Sequence, residues 1–192
     1  MDLSKAKSFT CYSFENRYET YIKYTLEFAK LDGLWLEFGV ATGQTTKKYV
    51  EYMPEKNKPL YGFDSFEGIP EDWAHHTKGT FTTHGKVPKI SGAEMIVGLF
   101  DDTIQSFVKS IKSPISVLII DCDLYSSTKT IFENLKQFIV PGTVIIFDEL
   151  YNYPTYENHE YKAFIEFVQE NNIDYEWIAY VDNGEQVSAI IK

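Results

Sequence analysis

The sequence predicts an α/β fold in which helices cover both faces of a mostly parallel sheet. Apolar runs alternate with amphipathic segments along the chain, which is typical of parallel sheets. Most of these runs are apolar throughout, as strands buried on both faces must be. The last two are joined by Asp-Asn-Gly-Glu, whose Asn-Gly pair favours a hairpin. We therefore expect seven strands, with the last one antiparallel at an edge.

The elements can be assigned in order along the chain. Apolar residues at helical spacing predict a helix over about 14–30. The expected strands are DGLWLEFGV, PLYGFDSF, AEMIVGLF, ISVLIID, TVIIFDE, YEWIAYV and QVSAIIK. The expected helices between them are GQTTKKYVEYM, DTIQSFVKSI, STKTIFENLKQFI and HEYKAFIEFVQEN. A polar loop, about residues 67–91, contains three of the four histidines.

Size and composition favour a single globular domain, residues 1–192, that includes an N-terminal helical segment or lid over 1–32. The formal net charge of -10 repels phosphate backbones, so we expect no nucleic-acid partner. The polar N-terminus does not resemble a signal peptide, and no stretch approaches the ~18 apolar residues of a membrane span. Two cysteines without metal-ligand spacing fit a reducing cytoplasm. Apolar surface near the N-terminal helix can serve a homo-oligomer.

The first strand ends in EFGVATGQT, with Glu37, Gly39 and Gly43 in the pattern E-x-G-x-x-x-G. The glycines let a ligand approach the backbone, and the following helix offers free N–H groups. A dinucleotide site needs G-x-G-x-x-G instead. An acid at Glu37 repels a pyrophosphate and attracts an amino group. A purely structural strand-to-helix turn is the alternative interpretation.

Acidic residues also follow the second and third strands. Asp64 lies about 20 residues after Gly43, an interval at which an acid reaches a bound ribose. Phe100 and Asp101 can stack on an adenine and accept from its amino group. The alternative is that Asp64 caps a turn and that Asp101 or Asp102 caps the next helix.

The fourth and fifth strands both run into carboxylates: Asp121 and Asp123, then Asp148 and Glu149. Neighbouring strands lie ~4.8 Å apart, so these side chains converge if the two strands are adjacent. Unpaired carboxylates at such distances require a cation, and oxygen ligands favour Mg²⁺, with Mn²⁺ or Ca²⁺ as alternatives. We expect Asp121, Asp148 and Glu149 as metal ligands, with Asp123 beside them as a base or support. Capping and surface solvation are the alternative.

Taken together, these motifs resemble a known family. The sequence has E-x-G-x-x-x-G, then an acid after the second strand, then G-x-F-D-D-T. This order of motifs is similar to that of the class I S-adenosylmethionine-dependent methyltransferases. The motifs YGFDSFEGIPEDW, GLFDDT, IDCDLYSST, GTVIIFDELYNYP and HEYKAF together resemble the macrocin O-methyltransferase (TylF/MycF-like) family. The resemblance covers about residues 36–167.

The resemblance implies a Rossmann-like sheet, S-adenosylmethionine as cofactor and a bound Mg²⁺. The implied cofactor-binding residues are Glu37, Gly39, Ala41, Thr42, Gly43, Thr45, Asp64, Ser65, Phe100 and Asp101. The implied metal ligands are Asp121, Asp148 and Glu149, and the implied catalytic residues are Asp121 and Asp123. The related catechol-type enzymes have a lysine base three residues beyond the first metal-binding Asp, where this sequence has Leu124.

The function that we expect is metal-dependent methylation of a hydroxyl on a sugar or glycosylated small molecule. The base can be Asp121, Asp123 or one of the loop histidines His75, His76 and His84. The tyrosines of YNYPTYENHEY can form a wall against the acceptor or simply pack over the sheet edge. A phenolic or catechol acceptor, a metal-dependent hydrolase and a non-catalytic cofactor-binding module are the alternatives.

Overall fold

The computed structural model describes residues 1–54 and 58–192. Within them, the strands are β1 (Lys7–Phe9), β2 (Leu34–Phe38), β3 (Leu60–Asp64), β4 (Ala93–Val97), β5 (Ile115–Ile120), β6 (Val144–Phe147), β7 (Tyr175–Val181) and β8 (Val187–Ile191). The α-helices are α1 (Phe14–Arg17), α2 (Lys23–Leu26), α3 (Gln44–Tyr52), α4 (Phe100–Val108), α5 (Tyr125–Leu135) and α6 (Glu160–Glu170). Short 3₁₀ turns cover Lys136–Phe138 and Tyr156–Asn158.

The strands form one sheet in the order β1-β7-β8-β6-β5-β2-β3-β4. The seven predicted strands are all present, and β8 is antiparallel to both β6 and β7. Two details differ from the prediction. The antiparallel strand lies between two others rather than at the edge, and an eighth strand, β1, pairs in parallel with β7. The sequence of β1, KSF, is too short and polar to indicate a strand; its pairing with a distant partner forms it.

Helices cover both faces of the sheet, as predicted. Every residue of β5 is buried, and its side chains alternate between two cores. Leu118 and Ile120 pack with the helices α4 to α6 on one face. Val117 and Ile119 pack with the N-terminal helical segment and α3 on the other face. A strand that is apolar at all but one position, Ser116, therefore suits this central place between two cores.

The predicted N-terminal helix is broken into three parts. α1 begins after Ser13, whose hydroxyl accepts from the N–H of Asn16. A π-helical stretch, Tyr18–Ile22, then separates α1 from α2, a feature that apolar spacing alone does not reveal. Among the described residues, no helix has the length and apolar character needed to span a membrane.

The chain order creates a crevice between β2 and β5. From β2 the chain builds outward through β3 and β4, then returns to place β5 on the other side of β2. Open α/β sheets bind ligands at such a switch point, beyond the carboxyl ends of the strands. β6 pairs with β5, with Phe147 opposite Ile120. The segments after β2, β5 and β6 therefore meet at one edge of the sheet, as the sequence predicted.

Candidate active site

A cavity of about 360 Å³ opens at this edge, within the size range of small-molecule sites. Most of the predicted cofactor-binding residues line it. The lining includes Gly39, Ala41, Thr42, Thr45, Asp64, Ser65, Phe100, Asp101, Asp121, Asp123 and Glu149. Two predicted cofactor residues, Glu37 and Gly43, are buried and do not line it. One cavity therefore connects the ends of five strands, β2 to β6.

The glycine loop, residues 39–43, forms one wall because its backbone lies against the neighbouring strand. Gly39 has φ +94°, and a Cβ there would lie 1.6 Å from the carbonyl oxygen of Asp121. Gly43, with φ +75°, begins α3. The left-handed backbone and the close approach both require glycine at Gly39. The loop thus packs directly against the segment that carries Asp121.

Asp64 holds the glycine loop in place. Its Oδ2 accepts hydrogen bonds of 2.8 Å from the N–H groups of Val40 and Ala41. Its Oδ1 accepts from the N–H of Phe66 at 2.7 Å. A carboxylate offers about four lone-pair sites, so these bonds use most of its capacity while one edge still faces the cavity. The sequence suggested that Asp64 either binds a ribose or caps a turn, and its hydrogen bonds to backbone N–H groups are those of a turn cap.

Glu37 lies beneath the loop as a fully buried carboxyl group. The Thr45 hydroxyl donates to its Oε1 at 2.6 Å, whereas its Oε2 is buried without a hydrogen-bond partner among the described residues. Burial raises the pKa of Glu37 to about 7, and the Thr45 contact lowers it only in part. Because Glu37 does not line the cavity, its contact with Thr45 supports the start of α3 beneath the glycine loop.

Three carboxylates converge beside the glycine loop. Oxygens of Asp121, Asp123 and Glu149 lie within 4.8 Å of one another; we call these three residues the acidic cluster. Burial is the main cause that raises the pKa of each, to about 6 for Asp123, and neighbouring carboxylates raise them further. Oε2 of Glu149 is also buried without a partner among the residues described. All-oxygen ligands held this closely fit a hard divalent cation.

Asp148, which was predicted as a metal ligand, forms an ion pair with Arg17. Its Oδ1 accepts a 2.9 Å hydrogen bond from Nη1 of Arg17, in an ion pair with both side chains mostly buried. Asp123, predicted as a base or support, completes the converging group instead. Arg17 lies at the start of the π-helical stretch and also contacts the rings of Phe14 and Tyr18. It joins the N-terminal segment to the end of β6.

Glu160 supports the turn that carries Asp123. Its Oε1 accepts from the N–H groups of Cys122 and Asp123, at 3.3 and 3.1 Å. Asp123 itself has φ +65°, a conformation that costs about 1–3 kcal/mol for a residue other than glycine. Glu160 also begins α6, as predicted. The hydrogen bonds between Glu160 and the turn at Cys122 and Asp123 were not predicted from the sequence, because α6 and this turn are far apart in the chain.

Phe100 and Asp101, which the sequence predicted as contacts for an adenine, lie in the first turn of α4. Both line the cavity, and Oδ1 of Asp101 accepts from the Thr130 hydroxyl at 2.9 Å. The residue that precedes α4 is Leu99, without a side-chain cap. The alternative that Asp101 or Asp102 caps this helix is therefore wrong.

The polar loop folds over the cavity; we call residues 66–92 the covering segment. Ile69, Pro70 and Phe81 from it line the cavity. Trp73 is buried and stacks on His76 with ring centroids 5.5 Å apart. Tyr153 packs edge-on against Trp73.

Two groups of residues that the sequence suggested as contacts for the methyl acceptor are not part of the cavity lining. The histidines proposed as bases, His75, His76 and His84, are not among its lining residues in the described part of the chain. The tyrosines of residues 151–161 are likewise absent from that lining. Tyr151 packs against β7, where its hydroxyl donates to the carbonyl of Val181 and its ring contacts Tyr180.

The fold is the Rossmann-like fold of class I methyltransferases, and in this protein a glycine loop and an acidic cluster share one cavity at the carboxyl ends of its strands. Residues 36–150 match the family described as "Methyltransferase domain", and the match spans more than half of the chain. The protein belongs to this methyltransferase family. Comparison with curated proteins gives no match.

Solved structures similar to this one include several methyltransferases. The calicheamicin methyltransferase CalS11 has a TM-score of 0.73 at 18% identity over 92% of this chain and 79% of its own. An apo structure of CalS11, described as a TDP-rhamnose 3'-O-methyltransferase, has a TM-score of 0.67 at 17% identity over 93% and 81%. The O-methyltransferase NovP has 0.63 at 20% identity over 91% and 78%. The mycinamycin-pathway methyltransferase MycE, in complex with Mg and SAH, has 0.59 at 14% identity over 94% and 51%.

Together, the family match and these structures confirm the predicted fold and the predicted methyltransferase class. The finer resemblance to the macrocin family stays a prediction.

Proposed function

We propose that the protein is an S-adenosylmethionine-dependent, divalent-metal-dependent O-methyltransferase acting on a sugar hydroxyl of a small molecule. The observation that carries this proposal is a shared cavity. The glycine loop and the acidic cluster of Asp121, Asp123 and Glu149 face the same space, next to each other. Solved structures with this fold include CalS11, which is described as methylating TDP-rhamnose, and MycE, which is described with Mg and SAH.

The residues of the cavity fit both groups. The wall formed by Ala41, Thr42 and Asp64 can contact a nucleoside, and Glu37, buried beneath the glycine loop, supports that wall. The unpaired Oε2 of Glu149 and the two aspartates can hold a hard cation. When bound, S-adenosylmethionine supplies an electrophilic methyl group, and the cation lowers the pKa of a hydroxyl that it contacts.

The chain's own groups then have defined tasks. The glycine loop and the acidic cluster lie side by side at one cavity, so a donor and an acceptor bound there would be held close together, which favours in-line transfer. In such a transfer the acceptor oxygen would take the methyl group that S-adenosylmethionine supplies, and S-adenosylhomocysteine would leave. The hydroxyl proton would pass to a carboxylate oxygen of Asp121 or Asp123, two members of the acidic cluster that can act as general bases. The roles of these two residues, and of Asp148 as a metal ligand, stay predictions.

Two alternatives from the sequence can be weighed. A metal-dependent hydrolase would explain the acidic cluster, but membership of a methyltransferase family favours methyl transfer. The apolar wall of Ile69, Pro70 and Phe81 also suits a phenolic acceptor, which a screen of phenols alongside sugars would distinguish. The single-domain organisation and the cytoplasmic location likewise stay predictions.

The direct test is thermal unfolding with S-adenosylhomocysteine (SAH), with and without Mg²⁺. We expect SAH to raise the unfolding temperature and Mg²⁺ to raise it further. Glu149→Gln should lose the Mg²⁺ effect and keep the SAH effect, because only the metal contact is removed. Asp102→Asn is the matched control: it is an exposed carboxylate outside the cavity lining and should keep both effects. Stabilisation by Mg²⁺ alone, without any response to SAH, would contradict the proposal.

Asp148→Asn separates the two roles suggested for this residue. If Asp148 binds the metal, the variant loses the Mg²⁺ effect as Glu149→Gln does. If it mainly anchors Arg17, the variant unfolds at a lower temperature but still responds to Mg²⁺. The 2.9 Å contact with Arg17 favours the second result.

A further inference from the structure

Asp148 lies beside the acidic cluster. Its backbone N–H donates at 3.0 Å to the carbonyl of Ile120, the last residue of β5, which places Asp148 next to the segment that carries Asp121. Burial is the main cause that raises the pKa of Asp121 and Glu149, and the charge of Asp148 is the next largest cause for both. Asp148 is therefore near enough to act on the cluster electrostatically.

Arg17 brings a positive charge to the same place. Its Nη1 donates to Oδ1 of Asp148 at 2.9 Å, and the two side chains are only 17% and 26% exposed, so salt screens the pair weakly. Burial lowers the pKa of the guanidinium, but Asp148 and, more weakly, Asp121 raise it above its usual value. The charge of Arg17 therefore acts on the cluster as well as on its own partner.

The same contact joins a lightly packed helix to the sheet. All four residues of α1 are exposed or half-buried. Arg17 ends this helix, and its guanidinium lies 5.7 Å from the ring centroid of Phe14 and 5.8 Å from that of Tyr18. Tyr18 begins the π-helical stretch and is buried against Tyr49 of α3. The N-terminal segment is therefore packed into the core from Tyr18 onward, whereas the ion pair holds α1 to the sheet edge.

A divalent cation at the acidic cluster and the guanidinium of Arg17 would be two positive charges close to the same carboxylates. Each favours the ionised form of these groups, and each repels the other. Binding of the cation must therefore weaken the hold of the guanidinium, and by linkage the effect is equal in the opposite direction. A typical coupling between two sites changes the affinity by about 5- to 150-fold.

We infer that Arg17 is a positioning residue that weakens cation binding at the acidic cluster, and that an incoming cation in turn loosens the attachment of α1. The inference rests on the divalent cation of the proposed function. The π-helical stretch that begins directly after Arg17 agrees with it, because such irregularities frequently occur at functional sites. Removing Arg17 should thus destabilise the fold yet tighten the cation site, and a merely structural ion pair does not have these two opposite effects.

The first test is the affinity for Mn²⁺, measured by electron paramagnetic resonance on protein loaded with SAH. Arg17→Met removes the charge and keeps an apolar side chain, and it should bind Mn²⁺ at least about fivefold more tightly than the wild type. Arg17→Lys keeps a positive charge near Asp148 and should restore an affinity close to that of the wild type. Lys23→Met is the matched control, because it removes an exposed charge of α2 in the same segment; its affinity should stay within about twofold of the wild type. Unchanged or weaker Mn²⁺ binding by Arg17→Met would overturn the inference.

The second test needs no variant. Hydrogen–deuterium exchange of the wild type, loaded with SAH, should become faster in Phe14–Arg17 when Mg²⁺ is added. Binding of a ligand to the folded state normally slows exchange, so an acceleration confined to α1 is a specific sign of the predicted competition. Slower or unchanged exchange in α1 would overturn the inference, even if Arg17→Met fails to fold.

Failure of the proposed function gives a different result. A wild-type protein that binds SAH but not Mn²⁺ would contradict the metal-dependent part of the proposed function, and the inference about Arg17 would fall with it. A wild-type protein that binds Mn²⁺ as tightly as Arg17→Met does would contradict the inference alone.

Discussion

The buried carboxyl group of Glu37 allows a quantitative prediction for the variant Glu37→Gln. Glu37 has a pKa raised from 4.5 to about 7 by burial. Its ionisation therefore opposes folding: this contribution to stability is complete below the unfolded pKa and is lost as the pH rises through about 7. Linkage with these two values gives a loss of about 2 to 3 kcal/mol between about pH 5 and pH 8. Glutamine does not ionise, so the variant lacks this loss.

The assay is equilibrium denaturant unfolding of wild type and Glu37→Gln at several pH values. The readout is the change with pH in the stability difference between the two proteins, because other buried carboxylates titrate in both and cancel. Thr45 can still donate to Oε1 of the glutamine, so the loop geometry should survive. A stability difference that stays constant from about pH 5 to pH 8, within about 0.5 kcal/mol, would refute the reasoning.

The same variant tests the role of Glu37 in binding. Because Glu37 does not line the cavity and glutamine can keep the Thr45 contact, the variant should bind SAH as the wild type does. The prediction is a variant that is more stable at alkaline pH with unchanged SAH affinity. A loss of affinity of at least about tenfold, the value of a hydrogen bond to a charged group, would show instead that the carboxylate receives the amino group of the cofactor.

Two further predictions concern packing near the site. Gly39→Ala should lower the free energy of unfolding by more than about 3 kcal/mol or prevent folding, because its Cβ meets the Asp121 carbonyl. The control Gly79→Ala has a similar φ of +87° and nothing within 4 Å of the added Cβ, so it should cost only about 1 kcal/mol. Equal costs of the two substitutions in chemical denaturation would contradict this. Arg17→Ala should lower the free energy of unfolding by about 1–3 kcal/mol, because it leaves Asp148 unpaired. A double-mutant cycle with Asp148→Asn should show coupling between the two sites. Additive effects would indicate that the ion pair does not contribute to stability.

The central sheet was predictable because its signal is local. The apolar runs that became β2 to β8 are long, bounded by turn residues and separated by helical spacing, so each could be assigned separately. β1 was missed because three partly polar residues gain their structure only from β7. The π-helical break at Tyr18–Ile22 leaves the apolar spacing of the segment intact, and the sequence therefore suggested one continuous helix.

The site was predictable to the level of strand ends, but not of individual contacts. Matched positions at the ends of β3, β4, β5 and β6 indicated which carboxylates would share a cavity. Which oxygens then converge depends on side-chain direction, and the partner of Asp148 is 131 residues away in the chain. The one available signal was that Arg17 is the only arginine, placed in an otherwise apolar helical pattern. An isolated cation on such a face suggests a buried partner.

A crystal structure grown with SAH and Mn²⁺ gives the most direct measurement, because the anomalous signal of manganese locates the ion independently of the protein atoms. The account predicts one strong peak within about 2.2 Å of oxygens from Asp121, Asp123 and Glu149, with the nucleoside against the loop at Gly39. An ion bound elsewhere, or a nucleoside that does not enter the same cavity, would contradict it.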